Sequence, residues 1–272
     1  MSQSRPEPVV DALDEVWRST ADACRDLSDD DWERPTDCPG WTVRDNLSHL
    51  IGIERMLLGE PVPAFEGPMP EHVRNPIGES NEAWVAERRH RPGGTVLAEF
   101  EEVTARRVDE LRAMDPERFE VVGWSPVGQV PYREFMDVRV LDSWAHEQDV
   151  RRAVGRPGGR GGAGESVTLR RSAGAMGYVV AKKVGAPDGT SVVWEVRGPV
   201  PLTVAVVVEG GRGRAVDRAP TVPSVRLELD AETFCRLGLG RIRADELAPG
   251  SVDLAGDEGL GRRLLAQMAF MI

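Results

Sequence analysis

The sequence predicts an α+β protein in two parts, a helical N-terminal half and a mixed C-terminal half. Apolar residues recur at helical spacing through much of the chain up to residue 154. Residues 155 to 164 then break the pattern with six glycines in ten positions, and runs of β-branched residues follow the break. Strands mixed with helices after a helical first half fit α+β better than an alternating α/β plan. The expected organisation is a helical domain over 1–155, a flexible glycine-rich linker over 156–165 and an α+β domain over 166–272.

The elements follow in order. Val9, Val10, Leu13, Val16, Trp17, Ala21, Cys24 and Leu27 predict a helix over residues 8 to 28. Residues 28 to 40 are dense in turn formers, and Thr42-Val-Arg-Asp45 reads as a variant capping box opening a second helix to about Leu58. Val43, Leu47, Leu50, Ile51 and Leu57 form its apolar stripe, with His49 bordering the core. Third and fourth helices are expected over 80 to 89 and 95 to 114. Residues 119 to 131 look irregular, and residues 132 to 154 make a long fifth helix. Beyond the linker, a helix near 167 to 184, strands at 191 to 196, 202 to 208 and 225 to 229, and helices near 231 to 237 and 258 to 268 complete the reading.

At 272 residues the chain is long for one compact domain. No run of about eighteen apolar residues exists, and Met1 to Pro8 lack a hydrophobic signal core, so a soluble, cytoplasmic protein with no membrane partner is expected. A formal net charge of -11 opposes binding to a phosphate backbone, which excludes nucleic acid as the expected partner. Three widely spaced cysteines, Cys24, Cys38 and Cys235, fit neither a disulfide framework nor a cysteine-rich zinc site. Cys38, beside Pro39-Gly40-Trp41, invites a nucleophile reading, against which stands the commoner fate of cysteine as a small packed hydrophobe. Nothing in the sequence sets the oligomeric state.

Asp142 and His146 carry the chemistry. Four residues apart on one helix, they share a face and can converge on one cation, and His49 from another helix would complete three protein ligands with a position left open. On spacing alone the commoner reading of the pair is a hydrogen bond or ion pair on a helix surface. Phe135, Arg139, Asp142, His146, Asp149 and Ala153 trace that face. Asp149 is placed either to accept the second ring N–H of His146 or to pair with Arg152 or Arg139.

Two stretches carry a resemblance. Cys38-Pro-Gly-Trp-Thr-Val-Arg-Asp-Asn-Leu-Ser-His49-Leu and Val138-Arg-Val-Leu-Asp142-Ser-Trp-Ala-His146-Glu-Gln-Asp149, continuing to Pro157, resemble the actinobacterial mycothiol-dependent maleylpyruvate isomerase family within the DinB-like superfamily. The resemblance implies a DinB-like four-helix bundle holding a divalent metal, usually zinc, through His49, Asp142 and His146. It also implies mycothiol as thiol cofactor or cosubstrate, its zinc-bound thiolate attacking a small electrophilic substrate in S-transfer or cis–trans isomerisation. Where the family's characterised isomerase has glutamate this chain has Asp142, one methylene shorter. Leu227-Glu-Leu-Asp-Ala-Glu-Thr-Phe-Cys-Arg-Leu-Gly-Leu-Gly-Arg241, with Gly250 to Asp257, resembles a sterol-carrier-like C-terminal domain. Within this frame Arg139 and Asp149 are the candidate cofactor contacts and Arg241 the candidate catalytic residue, set to meet an anionic substrate group. Arg88, Arg89, Asn75, Asn81 and Trp124 are further wall candidates. The competing readings are a non-catalytic binder of lipids or small molecules and a thiol-independent metal hydrolase.

Overall fold

A computed structural model describes residues 7–271, so the N-terminal segment read for a signal core lies for the most part outside the described residues. The chain forms two compact units, residues 1–164 and 165–272.

Four long helices build the first unit: α1 (Pro8–Cys24), α3 (Val43–Leu57), α5 (Gly93–Ala113) and α6 (Tyr132–Val154). They close a ring, with α1 and α3 each packing on both α5 and α6. The short helix α2 (Asp29–Trp32) precedes α3, and α4 (Pro76–Ala86) covers α3 from outside the ring. Leu13 and Trp17 of α1, Leu47, Leu50 and Ile51 of α3, Phe100 and Val103 of α5, and Met136 and Val140 of α6 are buried between them. Each aliphatic or aromatic side chain of that size contributes about 1.5–3 kcal/mol when removed from water.

The sequence reading of the helices holds at their starts more than at their ends. The Thr42 hydroxyl accepts the Asp45 N–H at 3.3 Å while the Asp45 carboxylate accepts the Thr42 N–H at 3.1 Å, so the capping box is formed. Helix α1 stops at Cys24 rather than residue 28, because Asp26 takes a left-handed φ of 55° and Ser28 begins a capping box of its own with Asp31. The segment expected to be irregular contains a hairpin, β1 (Val122–Ser125) and β2 (Gly128–Pro131), closed across Ser125 and Gly128. Its two central residues, Pro126 and Val127, lack the usual glycine or asparagine signal of a tight hairpin. Hydrogen bonds of the Ser125 hydroxyl, to the Gly128 carbonyl at 2.8 Å and from the Val127 N–H at 3.2 Å, do that job instead.

The glycine run is not the flexible tether its composition implied. Gly155 caps α6 in the left-handed conformation, and the next helix, α7 (Ala163–Tyr178), already begins inside the expected linker. Between them the backbone is fastened to the bundle: the Trp144 indole N–H donates to the Gly159 carbonyl at 2.8 Å, and the Gln148 amide donates to that of Gly158 at 3.2 Å. Glycine is needed for close approach. A Cβ on Gly159, whose φ is +65°, would lie 2.2 Å from a carboxylate oxygen of Glu147, itself held by Arg151 and Ser19. Gly159→Ala is therefore expected to destabilise the protein by about 1–3 kcal/mol, the range for a left-handed and crowded position. Urea unfolding of the two proteins measures it, and an unchanged midpoint would show the run to be slack after all.

The second unit holds a five-stranded sheet in the order β5-β4-β3-β6-β7, from β3 (Ser191–Arg197), β4 (Leu202–Glu209), β5 (Arg212–Ala215), β6 (Val225–Asp230) and β7 (Val252–Gly256). The β3–β6 pair is parallel and the others antiparallel. Register puts Val192, Trp194, Val196, Val204, Val206, Val225, Leu227 and Leu229 on one face, while Glu195, Arg197, Thr203, Arg226 and Glu228 share the other. A sheet apolar on one face needs a cover there. Helices α8 (Ala231–Gly238) and α9 (Glu258–Ala266) pack on β6, burying Phe234 and Leu264. Strands β5 and β7 escaped the sequence reading because Arg-Gly-Arg-Ala and Val-Asp-Leu-Ala-Gly are short and mostly exposed, as edge strands are.

Candidate metal centre

Helices α3 and α6 face each other in the ring and bring together the three residues singled out by spacing. His49 Nε2 lies 3.2 Å from Asp142 Oδ2, and His146 Nε2 lies 3.7 Å from Asp142 Oδ1. One ligand atom from each of the three falls within 4.8 Å of the others. Donors held at about 2.0–2.1 Å around a tetrahedral zinc sit roughly 3.3 Å from one another; the His49–Oδ2 separation matches that spacing, and the His146 contact, to the other carboxylate oxygen, is a little longer.

The surroundings fix the His146 ring in the state a cation requires. His146 Nδ1 is 2.6 Å from Asn46 Oδ1 and 3.3 Å from Asp149 Oδ2. Both are acceptors, so the proton resides on Nδ1 and the Nε2 lone pair faces the trio. Asp149 also accepts from Arg152 at 2.7 Å, the pairing weighed for it from sequence, while the short hydrogen bond of His146 Nδ1 goes to Asn46. His49 Nδ1 is buried with no hydrogen-bond partner among the described residues, which leaves the Nε2 edge as that ring's polar contact. The Trp41 ring covers both imidazoles, with centroids 5.0 Å from His49 and 5.8 Å from His146. Its indole N–H donates to the buried Glu82 at 3.3 Å.

Electrostatics agree with the geometry. Burial pulls the His49 pKa down to about 4, against which the Asp142 charge works. Burial disfavours the Asp142 carboxylate too, but the neighbouring His49 ring and the Arg139 guanidinium overturn that penalty and hold its pKa well below the ordinary carboxylate value. His49 is thus a neutral imidazole and Asp142 a carboxylate, the states in which such groups bind a divalent cation. The metal-free protein should show the cost of this at low pH. Unfolded His49 takes up a proton near 6.5 and the folded residue only near 4, so the unfolded state binds more protons between those values. Stability is then full above pH 6.5 and declines as pH falls toward 4, by on the order of 3 kcal/mol in total. Urea midpoints of chelator-treated protein across that range measure the slope, and His49→Gln should flatten it.

The other sequence-selected residues fall in separate places. Arg139 is buried, with Nη1 donating to Asp142 at 2.6 Å and Nε and Nη2 donating to Glu54 at 2.9 and 2.7 Å. Arg241 lies in the second unit just after α8, where Nη1 donates to the Leu239 carbonyl at 3.3 Å. Arg88 is buried and held by Glu99, Arg89 pairs with Glu82 at 2.7 Å, and Asn75 caps α4. Asn81 keeps a buried oxygen that makes no hydrogen bond, and Trp124 stands 63% exposed on the hairpin. Among the cysteines, burial pushes the Cys24 thiol up to about 12, which makes it a packing residue.

Sequence reasoning passed over Asn46, Glu54 and Trp41. A signal existed for Glu54, which continues the stripe of Leu47, Leu50 and Ile51 as the one charged residue on an apolar row. Asn46 stands one turn before His49 and could be read as its helix neighbour; its bond instead crosses to His146 on α6, and no spacing rule reports a contact between helices.

Four long helices with two imidazoles and a carboxylate turned inward from facing members define the class, a helical bundle carrying a candidate cation site. The chain belongs to the mycothiol maleylpyruvate isomerase N-terminal domain family, whose model matches residues 13–151. Two uncharacterized Mycobacterium tuberculosis proteins, from strains H37Rv and CDC 1551, are each 27% identical to it over 131 residues, which is 47% of this chain and 49% of theirs. The chain thus spans about half the length of the curated relatives it matches. Crystal structures of the mycothiol-dependent maleylpyruvate isomerase and of a histidine-to-alanine mutant of it share the fold. Their TM-scores are 0.56 and 0.55, with 17% and 16% identity, over 91% of this chain and 91% of theirs. Among the described residues no helix is long and apolar enough to cross a membrane.

Proposed function

We propose that this chain is a metal-dependent enzyme that uses mycothiol as thiol cosubstrate in cis–trans isomerisation or S-transfer on a small electrophile. The observation that carries the reading is the convergence of His49 Nε2, His146 Nε2 and the Asp142 carboxylate on one point between α3 and α6. The names of the matching family and of the solved structures support the thiol and the isomerase class. A divalent cation held there, zinc by the nature of the donors, would supply positive charge that favours thiolate over thiol.

The chain's own residues do the rest. Asn46 and Asp149 keep the proton of His146 on Nδ1, and Arg139 keeps Asp142 ionised. Trp41 walls one side of the imidazoles and limits water there. The thiolate sulfur adds to one carbon of an activated C=C bond, whose π electrons move into the activating carbonyl; rotation about the resulting single bond and expulsion of the same sulfur re-form the alkene as its isomer, whereas protonation of the enolate by water keeps the C–S bond and gives a conjugate. Arg241 is assigned to an anionic group of the substrate, and Arg241→Ala should then raise KM more than it lowers kcat.

The test is metal analysis of the purified protein together with mycothiol-dependent consumption of a panel of activated alkenes and other electrophiles. Near-stoichiometric zinc and turnover that requires mycothiol are expected. Turnover that persists without thiol would replace this reading with a metal hydrolase, and a retained apolar ligand with no turnover would replace it with a carrier.

A further inference from the structure

We propose that Glu54 and Arg139 form a clamp that offers Asp142 to the cation site through a single carboxylate oxygen, leaving the site open to an exogenous ligand. The inference rests on the metal reading of the trio and concerns residues that are not themselves ligands.

A free aspartate can give a cation one oxygen or two. Asp142 has its two oxygens in different surroundings: Oδ2 accepts Arg139 Nη1 at 2.6 Å, from a guanidinium one turn earlier on α6, and also faces His49 Nε2 at 3.2 Å, whereas Oδ1 faces His146 Nε2 at 3.7 Å. That guanidinium is itself immobilised. Its Nε and Nη2 both donate to Glu54 Oε1, and the second oxygen of Glu54 accepts Arg107 Nε at 3.1 Å. Arg107 is anchored in turn by Glu110 at 2.5 Å and by the Tyr132 hydroxyl. Three helices thus contribute to a chain of alternating charge that runs through the bundle, with Glu54 and Arg107 each 1% exposed. The chain ends on a proposed ligand. A guanidinium presents several N–H donors in a fixed plane, so holding it on one side with Glu54 also sets the plane and position of the Asp142 carboxylate on the other.

A buried network of this kind can also exist for fold specificity alone, and that is the alternative the experiment must separate. Cobalt(II) is the probe, because its visible bands are intense in four-coordinate sites and weaken as coordination number rises. Wild-type protein, Arg139→Met, Arg139→Lys and Glu54→Gln are titrated with cobalt(II) after chelator treatment, and each loaded protein is then titrated with azide. Arg139→Met is expected to lose about 10- to 100-fold in cobalt affinity, the usual effect of removing a partner that orients a metal ligand. Its bands should weaken as the carboxylate turns both oxygens inward, and azide should perturb them less. Glu54→Gln should shift in the same direction, and Arg139→Lys, which keeps a charged donor, should recover part of the affinity and intensity.

Arg139→Met and Glu54→Gln that fold with unchanged cobalt affinity and spectrum would overturn the clamp and leave the network a stabilising one. Should Arg139→Met fail to fold, Arg139→Lys and Glu54→Gln decide by the same two readouts. A wild-type protein that takes up no cobalt sinks the metal reading and the clamp with it, whereas wild-type uptake with unaltered variants sinks the clamp alone.

Discussion

His146→Ala should purify without divalent metal and lose zinc affinity by well over the roughly 100-fold that removal of a supporting partner costs. Nδ1 is committed to Asn46 and Asp149, so the whole donor capacity toward the trio lies in Nε2, and alanine removes it. His49→Ala and Asp142→Ala should behave alike, each deleting one corner of the donor triangle. Asn46→Ala provides the internal scale. It keeps every ligand but frees the His146 ring to turn and to exchange tautomers, and its expected loss is about 10- to 100-fold. Metal content by elemental analysis and competition with a chromophoric chelator give both numbers. Equal zinc content in wild type and His146→Ala would remove the basis for a metal centre.

Glu54→Ala is expected to destabilise the protein by on the order of 3–5 kcal/mol, the largest effect of any single truncation considered. It leaves Arg139 and Arg107, both buried, sharing no common carboxylate, with a void where the side chain was. Breaking one member of a buried ion network costs more than the pair contributes, because the surviving charges cannot be rehydrated. Arg139 retains Asp142, and Arg107 retains Glu110 and Tyr132, which holds the effect to this range rather than preventing folding. Equilibrium urea unfolding, fitted at constant m-value, measures it. A change below about 1 kcal/mol would mean that water reaches the network.

The fold was legible in the sequence wherever periodicity and end signals coincide. Thr42 with Asp45, and Tyr132 through Val154 closed by Gly155, set helix limits that local chemistry dictates. Helix α1 was read four residues too long because Leu27 continues its apolar spacing, while the left-handed Asp26 that stops it carries no composition signal. Composition misled most in the glycine run. Glycine selected for close approach and glycine selected for slackness look alike in sequence, and only the neighbours of Gly159 distinguish them.

The candidate site was legible in part. Asp142 and His146 share a helix, so their meeting follows from a local period, and His49 was placed beside them by likeness of motif. What escaped were the partners across helices, Asn46 to His146 and Glu54 to Arg139, because these depend on how α3 docks against α6. Buried polar residues on apolar rows are the trace such partners leave. Glu54 was visible in that way and Asn46 was not.

The position of Trp41 gives the protein an optical handle on its own centre. Of the seven tryptophans in the chain, Trp41 is the one whose ring lies within 6 Å of both imidazoles. An open-shell ion such as cobalt(II) between the rings would quench an excited indole at that range, whereas zinc, with its filled d shell, would act on it only through its charge. Emission from this residue therefore reports occupancy of the centre without any label, in the intact chain and at micromolar concentration.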